Sequence, residues 1–492
     1  MQIKENINSI INGNNLTILK NAPDNSIDSI ITDVPYGLQD VNALELIKEN
    51  KNNTKGFMGQ KWDVLPTIEM LKEFYRVLKT GGFLVTTFSP RQDLQTIFCY
   101  RLLEAGFDIN FSPLYYCFAS GFPKACDYSK MAQKSSGVEP EIIGSKKQNG
   151  AKFNHIAEQI DNGGFNDKNR QSFNITKPTT EEAKYLEGLK SLQLKPAVEP
   201  IIIAQKPHNK AKYKQAIDWY QERKALLDNG IKEGDLSLYT KNASGGVRID
   251  NCRIPIENLE NEPGYRPNAK NHKRTISNGV TSFSAISIIN EKNYLKNLDE
   301  GYHNSNGRFP ANILVADDCI NYKYDDKSDL SRYFSLDSWT KKNYPELYKV
   351  AEKTLELEKN SQKISPILFL AKPHRGEKDA GLKGELKKTE NEQREEGQAG
   401  FDNPFKNRPR MVYNNHPTGK PLALFNYLIH LFSTENDIIL DPFCGSGTTC
   451  ISAKLTKRKY IGIEINQDYC DIAKNRLKFW KNDCKEEKQK DL

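Results

Sequence analysis

Two short segments near opposite ends of the chain carry residues that could do chemistry together. The first ends an apolar stretch, SIDSIIT, with the tetrapeptide Asp33, Val34, Pro35 and Tyr36. A carboxylate and a backbone carbonyl can each accept one hydrogen of a planar amine, and an aromatic ring can stack on the group that carries it. This segment is therefore a candidate amine-binding site.

The second segment, residues 437–449 (DIILDPFCGSGTT), is an apolar strand followed by a turn that contains Gly445 and Gly447. Glycines between a strand and a helix let the backbone approach a ligand and leave the first amides of the helix free to bind it. Glu464 ends the next predicted strand, where an acid can accept hydrogen bonds from both hydroxyls of a ribose. The turn lacks the phosphate-binding G-x-x-x-x-G-K-[ST] pattern, so we expect a nucleotide-like cofactor held in another way.

Composition limits the class of protein. The chain has 492 residues, a net charge of +8 and a mean hydropathy of −0.69, and its length predicts two or three domains. No apolar run approaches the ~18 residues of a membrane helix, and the first residues lack a signal peptide's apolar stretch, so we expect a cytoplasmic protein without a membrane partner. Its nine cysteines form no C-x-x-C pair, so we expect reduced thiols and no metal site.

Two basic clusters are candidate contacts for nucleic acid. Residues 206–214 carry four lysines and residues 266–274 carry four cations, and neither segment contains an acid. Each could line a path for phosphates, although a solvated surface loop is the more ordinary interpretation.

Hydrophobic periodicity predicts an α/β protein. Residues 26–33 and 82–89 have the pattern of buried strands, a helix following Pro66 lies between them, and residues 107–118 appear in extended form after a further helix. This alternation predicts a parallel sheet covered by helices. The pattern returns near residue 414, whereas residues 119–195 and 208–405 are polar and irregular, with an isolated apolar strand at 199–207.

These segments together resemble a known family. DPFCGSGTT followed by YIGIEIN, with HPTGKP (416–421) upstream, looks like the S-adenosylmethionine site of amino-methylating DNA methyltransferases, and residues 33–36 resemble that family's catalytic D-P-P-Y tetrapeptide. The resemblance implies a Rossmann-like, S-adenosylmethionine-dependent methyltransferase sheet. It also implies a cofactor-binding set drawn from the glycine turn, the next strand and two flanking elements, namely Asp441, Phe443, Gly445, Gly447, Thr448, Glu464, Lys420 and Asn14.

The same resemblance implies a mechanism. The amine of a base is a poor nucleophile because its lone pair is delocalised into the ring. Asp33 and the carbonyl of Val34 or Pro35 would localise that lone pair, while Tyr36 would stack on a base swung out of the duplex. The methyl group would pass directly in line, with the rate gained mainly from positioning. Tyr116 is a further candidate for a wall of the base pocket, although a buried strand aromatic is the more ordinary role.

Two residues depart from the family pattern. Val34 stands where proline is usual, so we expect a less rigid carbonyl and slower chemistry, with both acceptors kept. Asn14 follows Gly13 where an aspartate near the adenine of the cofactor is usual, and asparagine can still accept and donate a hydrogen bond.

The order of the motifs implies a circularly permuted sheet. The catalytic tetrapeptide precedes the cofactor turn, which in the family defines the β group, and residues 118–130, 194–207 and 307–315 look like segments of its phage-type members. We therefore expect a catalytic part at 1–207 with a polar insertion near 119–195, a large irregular target-recognition insertion at 208–405, a cofactor-binding part at 406–480, and a charged tail at 481–492.

The predicted function is methylation of adenine N6 in double-stranded DNA at a specific site, because Asp at the first tetrapeptide position is commoner in adenine enzymes than Ser. A restriction endonuclease is a possible partner. Three alternatives stay open: a cytosine-N4 DNA methyltransferase, an RNA methyltransferase, and a DNA-binding protein with a decayed active site.

Overall fold

The fold is taken from a computed structural model. It describes residues 2–37, 62–117, 126–147, 172–192, 197–254, 310–315, 336–347, 375–382, 387–388, 411–416 and 419–480. Residues 208–405 are expected to recognise the target, and from residue 255 onwards most of this region lies outside the described residues. So do the basic cluster at 266–274 and the tail at 481–492.

The described strands fall into one large sheet and two ribbons. In chain order the strands are β1 (Ser9–Asn12), β2 (Ile27–Asp33), β3 (Leu78–Thr87), β4 (Leu114–Cys117), β5 (Glu141–Lys147), β6 (Ser172–Lys177), β7 (Val198–Gln205), β8 (Ile313–Val315), β9 (Lys387–Lys388), β10 (Met411–Val412), β11 (Ile438–Asp441) and β12 (Lys459–Glu464). The large sheet has the order β1, β12, β11, β2, β3, β7, β4, β8, while β5 pairs with β6 and β9 with β10.

The described α-helices connect and cover these strands. They are α1 (Ile3–Asn6), α2 (Asn15–Lys20), α3 (Ile68–Val77), α4 (Gln92–Glu104), α5 (Tyr128–Ser135), α6 (Glu181–Tyr185), α7 (Lys212–Asp228), α8 (Leu336–Asn343), α9 (Arg375–Asp379), α10 (Leu422–Phe432), α11 (Thr448–Leu455) and α12 (Gln467–Phe479). The expected helix after Pro66 is α3, and Thr67 caps it by accepting a hydrogen bond from the amide of Met70.

The two ends of the chain are interleaved in the large sheet. β1 pairs in parallel with β12, with Asn12 opposite Glu464, and β11 pairs in parallel with β2, with Leu440 opposite Ile30. On the other side of β2, β3 is also parallel, with Asp33 opposite Thr87. The parallel sheet predicted from the sequence is therefore confirmed for these five strands.

The remaining part of the sheet differs from the expectation. The apolar strand expected to be isolated at 199–207 is β7, which lies between β3 and β4 and runs antiparallel to both, with Val85 opposite Ile203. A continuous apolar run indicates burial on both faces of a sheet, but it carries no information about strand direction. The sheet is consequently mixed. The segment at 107–118 forms a strand only from Leu114 onwards.

Both faces of the sheet are covered, which explains why its strands are apolar at successive positions. Ile30 and Ile31 point to opposite faces and both are fully buried. Ile30 packs in a core with Phe74 of α3 and Phe98 of α4. Ile31 belongs to the core on the other face, which α10 and α11 cover. The strand expected at 26–33, which is β2, is thus packed on both faces.

Part of the middle region also packs on this core. Trp339 of α8 is fully buried, and its ring lies 5.1 Å from that of Tyr427 on α10. β8 extends the sheet by pairing in parallel with β4. The described pieces of residues 208–405 therefore include elements that complete the sheet and its helical cover.

Within the described ranges, no helix combines the length and apolarity needed to cross a membrane. In the same ranges, no group of three or more His, Cys, Asp or Glu residues is placed to hold a metal ion. The seven described cysteines are free thiols.

Candidate active site

Adjacent strands bring the predicted chemical groups to one edge of the sheet. β12, β11, β2 and β3 run in the same direction and end at Glu464, Asp441, Asp33 and Thr87. The carboxyl ends of parallel strands are where ligands bind in sheets of this kind, because loops there surround a crevice. The two segments recognised in the sequence therefore meet in space, with the amine-binding candidate one strand away from the glycine turn.

The glycine turn after β11 needs both of its glycines. Gly445 and Gly447 have φ of +50° and +87°, a region that side chains disfavour. A Cβ on Gly445 would come within 2.6 Å of His416 Nε2, and one on Gly447 within 2.8 Å of Ala473 Cβ. The turn is therefore packed tightly against its surroundings, and α11 begins directly after it at Thr448.

Glu464 is the acid expected to bind a ribose, and it lies beside this turn. Its Oε2 accepts the amide of Gly445 at 2.7 Å and its Oε1 accepts the amide of Asn466 at 2.8 Å. Burial raises the pKa of the Glu464 carboxyl, while these amides act in the opposite direction. Each carboxylate oxygen keeps capacity for a further donor. The carboxylate can therefore bind two hydroxyls without losing its backbone contacts.

Asp441 begins the turn and is nearly fully buried. Its Oδ1 accepts hydrogen bonds from the hydroxyl of Thr32 at 2.6 Å and from the amide of Phe443 at 3.1 Å. Burial raises the pKa of Asp441 to about 6, against the influence of these donors. Phe443 packs edge-on against Phe74, with ring centroids 5.9 Å apart, so the turn is fixed to α3.

Asp33 is surrounded by donors. Its Oδ1 accepts hydrogen bonds from the hydroxyl of Tyr36 at 3.1 Å and from that of Thr87. Its Oδ2 lies 3.0 Å from the ammonium of Lys420. Burial raises the pKa of Tyr36 well above its usual value, with the charges of Asp33 and Glu199 adding to the effect, so Tyr36 stays a neutral donor.

Val34 and Pro35 are both buried, and the backbone of Val34 is anchored. The amide of Val34 donates to Thr86 Oγ1 at 3.2 Å, and the side chain is 2% exposed. The ring of Tyr36 lies 5.5 Å from that of Phe88. The valine that departs from the family pattern thus makes a hydrogen bond that proline lacks the N–H to make.

Lys420 connects the two halves of the site. Its carbonyl accepts a 3.4 Å hydrogen bond from Thr448 Oγ1 at the glycine turn. Its ammonium lies beside Asp33, 3.8 Å from the carboxylate of Glu199 and 5.2 Å from the ring centroid of Tyr36. Burial alone would lower the pKa of Lys420, but the two carboxylates outweigh it and hold the pKa well above its usual value. The side chain assigned to the cofactor set therefore points to the amine-binding candidate.

Two neighbouring asparagines follow β1, and one of them contacts the glycine turn. Asn14 is exposed and caps α2, its side chain accepting the amide of Thr17 at 3.2 Å. Its neighbour Asn15 is buried and donates to the carbonyl of Pro442 at 3.0 Å. Asn15 Oδ1 has no hydrogen-bond partner among the described residues. Asn15 thus contacts the glycine turn, whereas the predicted role of Asn14 stays a prediction.

The sequence did not single out several further members of the site. Thr87 is the last residue of β3, and Thr32 is the last but one of β2. Their positions at the ends of strands are a signal that could have identified them. Glu199 gave no signal, because the antiparallel direction of β7 is what brings its carboxylate to this edge. His416 lies in the recognised HPTGKP segment. It is half-buried, its ring is 4.6 Å from that of Tyr469, and its buried Nδ1 is without a partner among the described residues.

Two other sequence candidates differ in their relation to the crevice. Tyr116 is 1% exposed, belongs to the hydrophobic core and lies opposite Glu199 in the pairing of β4 with β7, so its role as a wall of the base pocket stays a prediction. The lysine-rich cluster at 206–214 follows the end of β7, at the opposite edge of the sheet. There Lys206 donates to Asn25 Oδ1 and the carbonyl of Leu78, both at 2.8 Å, and Lys210 pairs with Asp218 at 2.6 Å. This cluster therefore does not line a phosphate path to the carboxylates.

The sheet places the candidate amine-binding carboxylate beside the glycine turn, and a comparison with known families gives the class of protein. A family profile described as DNA methylase, of the N6/N4 group, matches residues 27–475. The chain belongs to this DNA methylase family. The family resemblance predicted from the sequence is confirmed at this level.

Individual relatives match over short stretches. The orphan methyltransferase M.BamHII of Bacillus amyloliquefaciens is 54% identical over 63 residues, which are 13% of this chain and 24% of that protein. The type II methyltransferase M.HindIII of Haemophilus influenzae is 48% identical over 75 residues (15% and 24%), and the DNA adenine methyltransferase YhdJ of Escherichia coli 51% over 65 residues (13% and 22%). The aligned part thus spans about a quarter of the length of these relatives.

Solved structures align with the chain at low similarity. The cytosine-N4-specific PvuII DNA methyltransferase aligns at 12% identity with a TM-score of 0.36, over 95% of this chain and 85% of that one. A complex of M1.HpyAVI with SAM aligns at 14% identity with a TM-score of 0.33, over 97% and 99% of the two chains. These scores are low, so the fold is taken from the sheet order and the family match.

Proposed function

We propose that the chain transfers a methyl group from S-adenosylmethionine to the N6 amine of adenine in double-stranded DNA, at a specific sequence. The observation that carries the proposal is the position of Asp33 and Asp441 at the ends of neighbouring parallel strands, linked through Thr32. A carboxylate that can bind an amine thereby stands beside a turn that can bind a methyl donor. Membership of the DNA methylase family supports the assignment.

The described residues fit the proposed cofactor. Glu464 offers two acceptors to a ribose, and the glycine turn brings backbone close to a ligand. Asn15 Oδ1 and His416 Nδ1 are buried beside that turn and lack partners among the described residues. When bound, S-adenosylmethionine supplies an electrophilic methyl group. Asp441, Phe443, Gly445, Gly447 and Thr448 form the wall of this site in our proposal.

The chain's own contribution to the chemistry is to orient and activate the amine. Asp33 Oδ2 accepts one N–H, and the carbonyl of Val34 or Pro35 accepts the other, which concentrates the nitrogen lone pair on the side of the methyl donor. Tyr36 stacks on the base and also holds Asp33 through its hydroxyl. Extrusion of the base from the duplex is needed because Asp33 and the carbonyls of Val34 and Pro35 lie in a crevice that a stacked base does not reach.

The domain organisation belongs to the same proposal. The interleaving of β1 and β2 with β11 and β12 in one sheet supports a circular permutation of the β-group kind, with phage-type segments. We retain residues 1–207 as the catalytic part, 208–405 as the recognition region and 406–480 as the cofactor part. Described pieces of the middle region, such as β8 and α8, also complete the core. Location in the cytoplasm and a restriction endonuclease partner remain predictions.

Adenine is preferred to cytosine for two reasons. Aspartate occupies the first position of the tetrapeptide, and the relative YhdJ is an adenine methyltransferase. Cytosine N4 presents the same pair of amine hydrogens, so Asp33 and the neighbouring carbonyl can accept either base. The product must therefore be identified directly.

The test is methyl transfer followed by analysis of nucleosides. Purified protein, duplex DNA and S-adenosylmethionine labelled in the methyl group are incubated, and the DNA is digested. We expect labelled 6-methyladenine, and at least a 100-fold loss of label in Asp33→Ala, because the amine loses its charged acceptor. If the only labelled product is 4-methylcytosine, the chain is a cytosine-N4 enzyme. Preferential labelling of structured RNA would identify an RNA methyltransferase, and the absence of any transfer would indicate a decayed active site.

A further inference from the structure

A lysine ammonium occupies the contacts that the proposed function gives to the target base. Lys420 Nζ lies 3.0 Å from Asp33 Oδ2 and 5.2 Å from the centroid of the Tyr36 ring. In the proposed reaction an amine N–H points to Asp33, and the base lies on Tyr36. The cation thus makes a hydrogen bond to the same acceptor and a cation–π contact with the same ring.

A second carboxylate lies close to the same ammonium. Glu199 Oε2 is 3.8 Å from Lys420 Nζ, so a small movement of the ammonium exchanges one partner for the other. Glu199 reaches this edge because β7 runs antiparallel to β3, with Thr87 opposite Ile201, two residues from Glu199. Both carboxylates are about one-fifth exposed, and the lysine side chain is 12% exposed.

We propose that Lys420 fills the base position while no base is present, and that Glu199 takes over its ammonium when the base enters. This inference rests on the proposed function and adds two positioning residues to it. Asp33 keeps a cationic partner without DNA, so an unpaired carboxylate is not left in a partly buried crevice. Entry of the base replaces that partner with the amine, and Glu199 keeps the displaced charge compensated.

Charge is what makes the exchange work, and the surroundings keep the charge in place. Burial acts to lower the pKa of Lys420, but Asp33 and Glu199 together hold it well above its usual value, so the side chain stays an ammonium. With Glu199 neutralised, Asp33 is the remaining charged partner of that ammonium among the described residues. The lysine then competes harder with the base.

The decisive variant is Glu199→Gln, which keeps size and shape but removes the charge. The target site is first mapped by sequencing modified bases in DNA from cells that express the chain. Duplexes with 2-aminopurine at the target position then report extrusion of the base by fluorescence, without methyl transfer. We expect Glu199→Gln to reduce the extruded fraction several-fold and to raise KM for DNA about tenfold, with kcat changed less than threefold.

Lys420→Met provides the reciprocal test. Without the ammonium the base has no competitor, so we expect the extruded fraction to rise, and Glu199→Gln to have no further effect in the Lys420→Met background. Asp218→Asn is the matched control, because it breaks another lysine–carboxylate pair, Lys210 with Asp218, at the opposite edge of the sheet. It should leave fluorescence and KM unchanged. Thermal unfolding of each variant reports whether it is folded.

The outcomes separate this inference from the proposed function. If the native protein methylates DNA but Glu199→Gln matches it in both fluorescence and KM, the exchange is wrong and the function stands. If Glu199→Gln has the same effect with and without Lys420, Glu199 acts on DNA directly and the exchange is again wrong. If the native protein transfers no methyl group to any nucleic acid, both proposals fail.

Discussion

The hydroxyl of Thr32 donates a 2.6 Å hydrogen bond to Asp441 Oδ1, and both side chains are buried. Thr32 directly precedes Asp33 on β2, while Asp441 ends the neighbouring β11. This bond therefore joins the strand of the proposed amine-binding carboxylate to the turn proposed to hold the cofactor. Together with the pairing of β2 and β11 it sets the distance between the two halves of the proposed reaction, and positioning of this kind accounts for much of the rate in direct transfer.

Replacing Thr32 by Val tests this connection. The variant keeps the shape of the side chain but leaves the Asp441 carboxylate without its shortest hydrogen bond, a loss of about 1.5–3 kcal/mol for a donor to a charged group. We expect weaker binding of S-adenosylmethionine by calorimetry, about tenfold, and a lower free energy of unfolding in urea. Thr32→Ser keeps the hydroxyl and should lie close to the native protein. Equal affinities for the two variants would contradict the prediction.

Replacing Gly445 by Ala should block the cofactor turn. Its φ of +50° disfavours a side chain, and its Cβ would lie 2.6 Å from His416 Nε2. We expect at least a tenfold loss of affinity for S-adenosylmethionine and a lower melting temperature. Gly137→Ala is the matched control, because that glycine also has positive φ, +68°, but its Cβ would meet nothing within 4 Å. It isolates the backbone strain, about 1–2 kcal/mol.

A substitution of His416 shows how much of the destabilisation by Gly445→Ala comes from the clash with its ring. In a Gly445→Ala/His416→Ala double variant the obstructing ring is absent, so we expect the loss in free energy of unfolding in urea to be smaller than the sum of the losses in the two single variants. If the double variant unfolds as the sum of the two single variants, the clash with His416 is not what disfavours the alanine.

The structure shows a backbone contact at Val34 that the sequence did not predict. From the sequence, valine in place of proline predicts a looser carbonyl. In the structure the Val34 amide donates to Thr86, a contact that constrains the backbone in another way. We therefore expect Val34→Pro to leave kcat within about threefold of native or to lower it, because the gained rigidity is offset by the lost hydrogen bond. A tenfold rise in kcat from rapid-quench measurements would show that the valine does slow the chemistry.

The sequence located the two candidate halves of the site because each depends on the chemistry of a short segment. A tight turn after a buried strand requires glycines at 445 and 447, and the acid at the end of the next strand, Glu464, lies beside that turn as expected. Local pattern also predicted β2, β3 and the helix between them. These features depend on near neighbours in the chain, which is the information that periodicity and turn chemistry contain.

Contacts between distant segments could not be read in the same way. Because β7 runs antiparallel to β3, Glu199 lies near Lys420, and Lys206 lies at the opposite edge of the sheet. An apolar run in the sequence does not indicate the direction of its strand. Likewise, Lys420 was recognised as part of a cofactor motif, while only the packing of α10 shows its ammonium beside Asp33. Such partnerships depend on tertiary geometry rather than on local sequence.

Glu377 predicts an unusual pH dependence of stability. Its carboxyl is buried and accepts the amide of Leu422 at 2.8 Å, and burial raises its pKa to about 7 in the folded protein. In the unfolded chain a glutamate has a pKa of about 4.3. Because the folded state holds the proton more tightly, the stability from Glu377 is fully present below pH 4.3 and is lost as pH rises through 7.

Glu377→Gln removes this titration while keeping an oxygen for the Leu422 amide. We expect the variant to gain stability relative to the native protein as pH rises from 4.5 to 8, by about 3 kcal/mol from a shift of this size. Urea unfolding at several pH values measures the difference, in which the other titrating groups cancel. Glu69→Gln, which replaces an exposed glutamate paired with Lys20, is the control and should give no such trend. A Glu377→Gln difference that stays constant, or falls, with rising pH would show that the carboxyl is ionised at little cost in the folded protein.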